Sequence, residues 1–175
     1  MICLPRIRKF FDDKKGSASV EFAMVAPIYL AAVLSVFESG WLMTKNMMLE
    51  RGLDLTVREI RLGVSGKTEH DQFKETICDY ARILRDCEAN MILEVTPITT
   101  AADIPAGSAI CRDRTTPDAP ALNFNLGQRS DIMYVRACVI VDPIVPGLGL
   151  GLQLPKDGSG GFQMIAHSAF VNEPS

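Results

Sequence analysis

The sequence predicts an α+β fold: a single-pass N-terminal membrane helix extended into a long amphipathic helix, packed with a second helix and a small antiparallel sheet of about three strands. Three observations carry this prediction. Residues 22–37 form a run of sixteen uncharged, mostly apolar residues. Immediately beyond, Leu49, Leu53, Val57 and Ile60 recur at steps of 4, 4 and 3, the spacing of one helical face. After Asn90 that period gives way to β-branched stretches that alternate or run apolar between turn residues. Helices followed by strands, rather than alternating with them, indicate α+β.

With 175 residues, the chain is long enough for one ordinary domain, or for a small domain and an anchor. Its 47% hydrophobic and 22% charged residues suit a folded protein, and a net charge of −3 gives no argument for nucleic acid as a partner. The charge is unevenly spread. Residues 1–16 hold five basic residues against Asp12 and Asp13, a net of +3, which leaves −6 for the remainder. Such asymmetry at one end points to membrane topology.

Taken to Met43, the apolar segment reaches 22 residues with Glu38 its one charge. About 20 helical residues cross a hydrocarbon core of roughly 30 Å. A cleavable secretory signal has a shorter core of about 7–15 residues and a small-residue site after it, which "SVFESGWLM" does not supply. The expected organisation is a basic cytoplasmic leader over 1–16, a transmembrane helix over 17–43 and an exported domain over 44–175, with the N-terminus inside by the excess of Lys and Arg.

One helix over 19–62 would run about 65 Å, stopping at Gly63 and Gly66. Its second half sets Glu50, Arg51, Asp54, Arg58 and Arg61 opposite the apolar stripe. A second helix follows, with Thr68 as cap, Glu69 and Asp71 in its first turn, and a stripe of Phe73, Ile77, Tyr80, Ile83 and Leu84. Strands are expected at "MILEVTPI", ended by Pro97, at "DIMYVRACVIVDP", ended by Pro143, and at "GGFQMIAHSAFV". Loops rich in Gly, Pro and polar residues occupy 98–129 and 143–160.

Of the five cysteines, Cys3 falls in the leader, leaving Cys78, Cys87, Cys111 and Cys138 in the expected exported part. An even number in an oxidising compartment reads as two disulfides, with three connectivities open. Pairing Cys78 with Cys87 and Cys111 with Cys138 closes the smaller loops. It requires a helix break before Cys87, since nine helical residues span about 13.5 Å. Four buried free thiols is the alternative. No Cys/His metal spacing occurs.

Catalytic chemistry finds little footing. The two histidines, His70 and His167, read as surface or satisfied core residues, and no nucleophile elbow or zinc-protease motif is present. "GLGLGLQLPKDGSGG" lacks the phosphate-loop pattern and reads as a hairpin loop, or as a greasy loop touching membrane or partner. Met43, Met47 and Met48 read as packing. Glu38, about 25 Å along a helix from Glu21, reads as an interfacial boundary residue. Glu21 differs, because it opens the apolar run, where a carboxylate is costly to keep.

The constellation Gly16, Ser17 and Glu21, fifth after the glycine, resembles the type IV pilin signal cut by prepilin peptidases. More narrowly, "KKGSASVEFAMVAPIYLAAVLSVFESG" resembles the start of TadE-like proteins, minor pilins or pseudopilins of tight-adherence (Flp) pilus systems, through Val20-Glu21-Phe22, Pro27, Glu38 and Gly40. "REIRLG" and "FVNEPS" are similar to that family as well. The resemblance implies cleavage after Gly16, retention of the apolar helix, Glu21 as a helix-register carboxylate and Pro27 as a transmembrane kink. Implied partners are a prepilin peptidase, the pilus assembly platform with its ATPase, and other pilins, at the bacterial inner membrane with a periplasmic domain. No cofactor, metal or small-molecule substrate is implied. The rival reading is a signal-anchored periplasmic binding module, in which Glu21 has no special role.

Overall fold

The computed structural model describes residues 17–62, 69–105, 110–116, 123–146 and 152–172. Gly16, Gly63, Gly66, Thr68, Leu148 and Leu150, on which sequence expectations rested, lie outside them.

The first element, α1 (Ser17–Arg61), is one helix of 45 residues with Pro27 inside it, about 67 Å long at 1.5 Å per residue. Its second half carries the expected stripe: Leu49, Leu53 and Val57 are buried and Ile60 packs at the margin. The stripe extends one heptad further towards the N-terminus than the leucine spacing suggested, through Leu42.

The second helix, α2 (His70–Tyr80), is shorter than its apolar spacing predicted. Glu69, not Thr68, stands at its N-cap and makes no side-chain cap. The helix ends at Tyr80, because Ala81 leaves helical geometry and the Leu84 amide bonds back to the Ala81 carbonyl in a turn. Leu84 is still buried, delivered by that turn rather than by the helix. Asp86 adopts left-handed φ of 50°, one of the few side chains that tolerate it, and starts the one-turn helix α3 (Cys87–Asn90). The reversal brings Cys87 back to Cys78, where the two form a disulfide with Cα atoms 5.7 Å apart. Helices α1 and α2 approach closely at Gly52, where an added Cβ would lie 2.7 Å from the Ile77 carbonyl oxygen.

Three strands, β1 (Met91–Ile98), β2 (Ile132–Val141) and β3 (Phe162–Val171), form an antiparallel meander in that spatial order. Leu93 pairs with Ala137 and Ala137 with Ala166, which places Leu93, Val95, Val135, Val139 and Met164 on one buried face beneath the two helices. Pro97 does not end β1; the strand continues to Ile98. The backbone of Val95 bonds outward, to Asn123 and Asn125, so Pro97 two residues on also turns its donor-less nitrogen away from β2. An edge strand accepts proline in that phase.

On the opposite face Glu94 and Arg136 are directly paired across the strands, 2.6 Å apart and both buried. The segment 110–116 crosses this face and is fastened to β2 by a second disulfide, Cys111–Cys138, with Cα atoms 5.4 Å apart. Each bridge restricts the unfolded chain in proportion to the logarithm of the loop it closes. Separations of 9 and 27 residues correspond to about 2.6 and about 3.6 kcal/mol on the chain-entropy account. Non-reducing peptide mapping should therefore recover these two pairs, and in denaturant titrations the Cys111→Ser/Cys138→Ser variant should lose more stability than Cys78→Ser/Cys87→Ser. The reverse order would refute the loop-closure account.

Candidate functional site: an apolar stalk and its seat

Residues 17–37, the first 21 of α1, carry mostly exposed side chains from residue 18 on and meet the head at their last turn, where Val36 and Phe37 adjoin Ile144. Phe22, Ile28, Val36 and Phe37 are each more than 70% exposed, and Val20, Met24, Val25, Tyr29 and Leu30 more than half. Together these side chains point in every direction around the helix, so no single buried face organises them. At 1.5 Å per residue this stalk is about 31 Å long, the thickness of a bilayer's hydrocarbon core. The helix is a candidate membrane anchor by length and composition. Two of its hydroxyls suit that solvent: Ser35 and Ser39 each donate to the carbonyl four residues earlier, at 2.8 Å, which satisfies them within the helix. Glu21 is exposed on the fifth residue of the helix.

The exposed stretch ends at Glu38, which is 2% exposed. The expectation made Glu38 an interfacial boundary residue; what the structure adds is that its side chain is enclosed by protein. Glu38 is one of the most buried side chains in the molecule, and its Oε1 accepts the backbone N–H of Val145 at 3.0 Å. A signal for this was present in the sequence. Glu38 lies four residues before Leu42 and eleven before Leu49, in phase with the core stripe. Counting it as the one charge in a membrane-length segment obscured that phase.

Around this seat, the segment following β2 wraps the helix. Ile144 stands with Val36, Phe37, Gly40, Trp41 and Thr44 around a hollow of about 430 Å³. Lys45 reaches the Asp142 carbonyl at 3.4 Å and stacks its ammonium 5.7 Å from the centre of the Trp41 ring. Burial pushes the Lys45 pKa down, partly opposed by the nearby Asp142 carboxylate.

The two ends of the β2–β3 connection are tied together by Arg114. Its Nη1 donates to Asp142 at 3.0 Å and its Nε to Ser159 at 2.8 Å and to Asp157 at 3.4 Å. The hydrogen bond from Arg114 holds the Asp142 carboxyl below its ordinary 3.8. Burial works to raise Asp157, but bonds from Ser159, Gly161 and Arg114 bring it down. A side chain at Gly161 would run into Ile140 and Arg114, so the turn is close-packed under this clamp. Of the "GLGLGLQLPKDGSGG" stretch, residues 152–161 are described and lie in the connection from β2 to β3.

Neither histidine is arranged for catalysis. His70 packs edge-on against Phe124, with ring centroids 5.1 Å apart, and its Nε2 lies 3.3 Å from the Leu93 carbonyl. His167 is exposed beside Tyr134. Among the described residues no group of three His, Cys, Asp or Glu side chains is placed to hold a metal ion. Met43 and Met47, expected to pack, are instead about two-thirds exposed on the flank of α1.

Two outcomes follow from the seat. Glu38→Ala should leave the Val145 amide without its acceptor, a loss of about 1–3 kcal/mol, read as faster hydrogen exchange at Ile144 and Val145; Glu38→Gln, which keeps an acceptor, should stay near wild type. Equal exchange in all three proteins would remove Glu38 from its role. Because Asp142 and Asp157 titrate lower when folded, the clamp is complete above about pH 4 and is lost as the pH falls through their lowered values. The Arg114 Nε–H resonance should broaden on that descent, and earlier in Asp142→Asn.

No curated protein and no solved structure matches the chain. The family that does match covers the stalk, the seat and most of the helix packed into the core, and its known association is with tight-adherence pilus systems. Over residues 16–58 the chain matches the family whose model is described as TadE-like protein.

Proposed function

We propose that the chain is a minor pilin or pseudopilin that takes part in assembling a tight-adherence (Flp, type IV) pilus, through a structural role of its N-terminal helix. The observation that carries this reading is the pairing of the family match over 16–58 with a stalk whose apolar side chains point all round α1. A helix of that kind has two stable settings, lipid or a bundle of like helices, and a subunit that moves from membrane to fibre needs both.

In this reading residues 1–16 are a cytoplasmic leader removed by a prepilin peptidase, 17–43 is the transmembrane segment, and 44–175 is periplasmic at a bacterial inner membrane. Cutting after Gly16 creates an α-amino group on Ser17 with an ordinary pKa of about 7.7–8.0, largely cationic at neutral pH. Glu21 supplies the opposite charge for that amine on its own or a neighbouring subunit. An apolar helix alone has many axial registers in a bundle; a single carboxylate that must find a cation selects one. Removing one partner of a desolvated pair costs about 3–5 kcal/mol, enough to dismantle the register. Pro27 lacks the N–H that would serve the Ala23 carbonyl, giving the segment a place to bend where neighbouring helices re-satisfy that group. The assembly platform with its ATPase and the other pilins are the partners this role requires.

Intact-mass analysis of the protein from its native membrane tests the reading first. A chain beginning at Ser17 is expected, together with loss of pili in Glu21→Ala and Gly16→Ala. An unprocessed chain in cells with active prepilin peptidase, and normal piliation in both variants, would leave a signal-anchored periplasmic module instead.

A further inference from the structure

We infer that the base of the head is itself a lipid-contacting surface: Ile144, beside Trp41, and the exposed Leu152 settle in the headgroup boundary of the leaflet from which the stalk emerges. This inference rests on the stalk being a membrane anchor, and adds to it a second, independent attachment that fixes how the head sits.

The argument begins with length. A stalk of about 31 Å uses up the hydrocarbon core by Phe37, so whatever packs against Phe37 and the next turn is at headgroup depth. Ile144 is that residue. It shares its hollow with Val36, Phe37, Gly40 and Trp41, yet remains 60% exposed, facing outward beside the helix. An added Cβ at Gly40 would meet nothing within 4 Å, so this side of the helix is open rather than filled by the head.

Leu152 is the second exposed apolar side chain, on the stretch of chain that leads back to the helix at Leu154. Leu154, two residues on, lines a groove of about 700 Å³ together with Ser39, Leu42 and Met43, which are the turns of α1 directly above Phe37. Leu152 is 64% exposed. The head thus offers two large apolar side chains that no part of the described chain covers, one of them, Ile144, adjoining Val36 and Phe37 of the stalk.

Polar chemistry at this level completes the match to lipid. Trp41, the one tryptophan in the sequence, sits at the core boundary, where an amphipathic ring is favoured. Lys45 lies one turn above it, over its ring, and Lys156 donates to the Pro146 carbonyl at 3.0 Å on the neighbouring segment. Apolar tips below, an aromatic at the boundary and ammonium groups above form the sequence of layers met on leaving a bilayer. The bond from Glu38 to Val145 holds Ile144 at this depth.

Depth-dependent fluorescence quenching tests this in the full chain, reconstituted into vesicles of phosphatidylcholine and phosphatidylglycerol carrying doxyl-labelled lipid. In a Trp41→Phe background, four single-tryptophan proteins are compared: Leu30→Trp in the stalk, Ile144→Trp and Leu152→Trp at the base, and Leu62→Trp at the far end of α1. Leu30→Trp should respond to a label deep in the acyl chain and Leu62→Trp to neither label. Ile144→Trp and Leu152→Trp should lose about half their emission to a label near the headgroup, given insertion about 5–10 Å into the boundary, and little to the deep one. If Leu30→Trp is quenched while both base positions behave like Leu62→Trp, the anchor stands and the lipid-contacting base is overturned. If Leu30→Trp is not quenched either, both readings fail. Emission from the base positions that is blue-shifted, unquenched and dependent on protein density would assign the surface to a second copy of the chain and overturn the inference.

Discussion

One hydrogen bond marks where the surroundings of α1 change. Below Glu38 the helix α1 shows apolar side chains to its whole surroundings; above it, only one stripe is apolar and that stripe is covered by protein. A carboxylate at such a junction has to be provided for, and the Val145 amide, offered by the segment leaving β2, provides for it at 3.0 Å. The bond holds in both directions. It satisfies an oxygen that burial has taken from water, and it holds the β2–β3 connection against the helix at the depth where the head begins. Replacing the carboxylate by an apolar side chain would remove the need and the attachment together.

The rest of the head follows from the demands of that helix. Its upper stripe of Leu42, Leu49, Leu53 and Val57 needs a flat apolar partner, and the three-stranded meander presents one apolar face that must be covered in turn. Gly52 lets α2 lie close enough to close the side of the core. The two disulfides tie irregular segments to this core, one in the turn after α2 and one between a loop and the sheet's outer face. The outer face keeps a buried ion pair, Glu94 with Arg136, whose charges are neutralised by each other across directly paired positions.

Much of this was legible in the residues. The apolar run, the 4-4-3 stripe and the β-branched strands give the helices and sheet because each is a strong periodic signal over many residues. What escaped was local or depended on distant chain. The end of α2 at Tyr80 is set by a turn and the left-handed Asp86, whereas the apolar spacing ran on through Leu84. Pro97 looked like a strand end because its harmlessness depends on strand phase, known only once Asn123 and Asn125 are seen on the outer edge. Glu38 was in phase with the core, but its partner is 107 residues away and is a backbone amide, which no side-chain pattern announces. The stalk's Glu21, by contrast, stood out because it is a charge opening an apolar run, and the family match over 16–58 includes it.

The placement of the cross-links has a mechanical consequence. Both disulfides lie wholly outside α1: one joins α2 to α3, the other fastens 110–116 to β2. The element through which a pull on the stalk would enter the head is therefore gripped by side-chain packing and by hydrogen bonds, among them Glu38 to Val145, Lys45 to Asp142, Tyr80 to Glu59 and Ser168 to Asp54. Under axial load the molecule would yield by the helix sliding out of a body that keeps its own shape, like a bolt drawn from a locked housing. Reducing the cross-links would soften the housing and leave the grip on the bolt nearly unchanged. Strength along the axis and stability of the head are in this way separable properties, written in different residues of one chain.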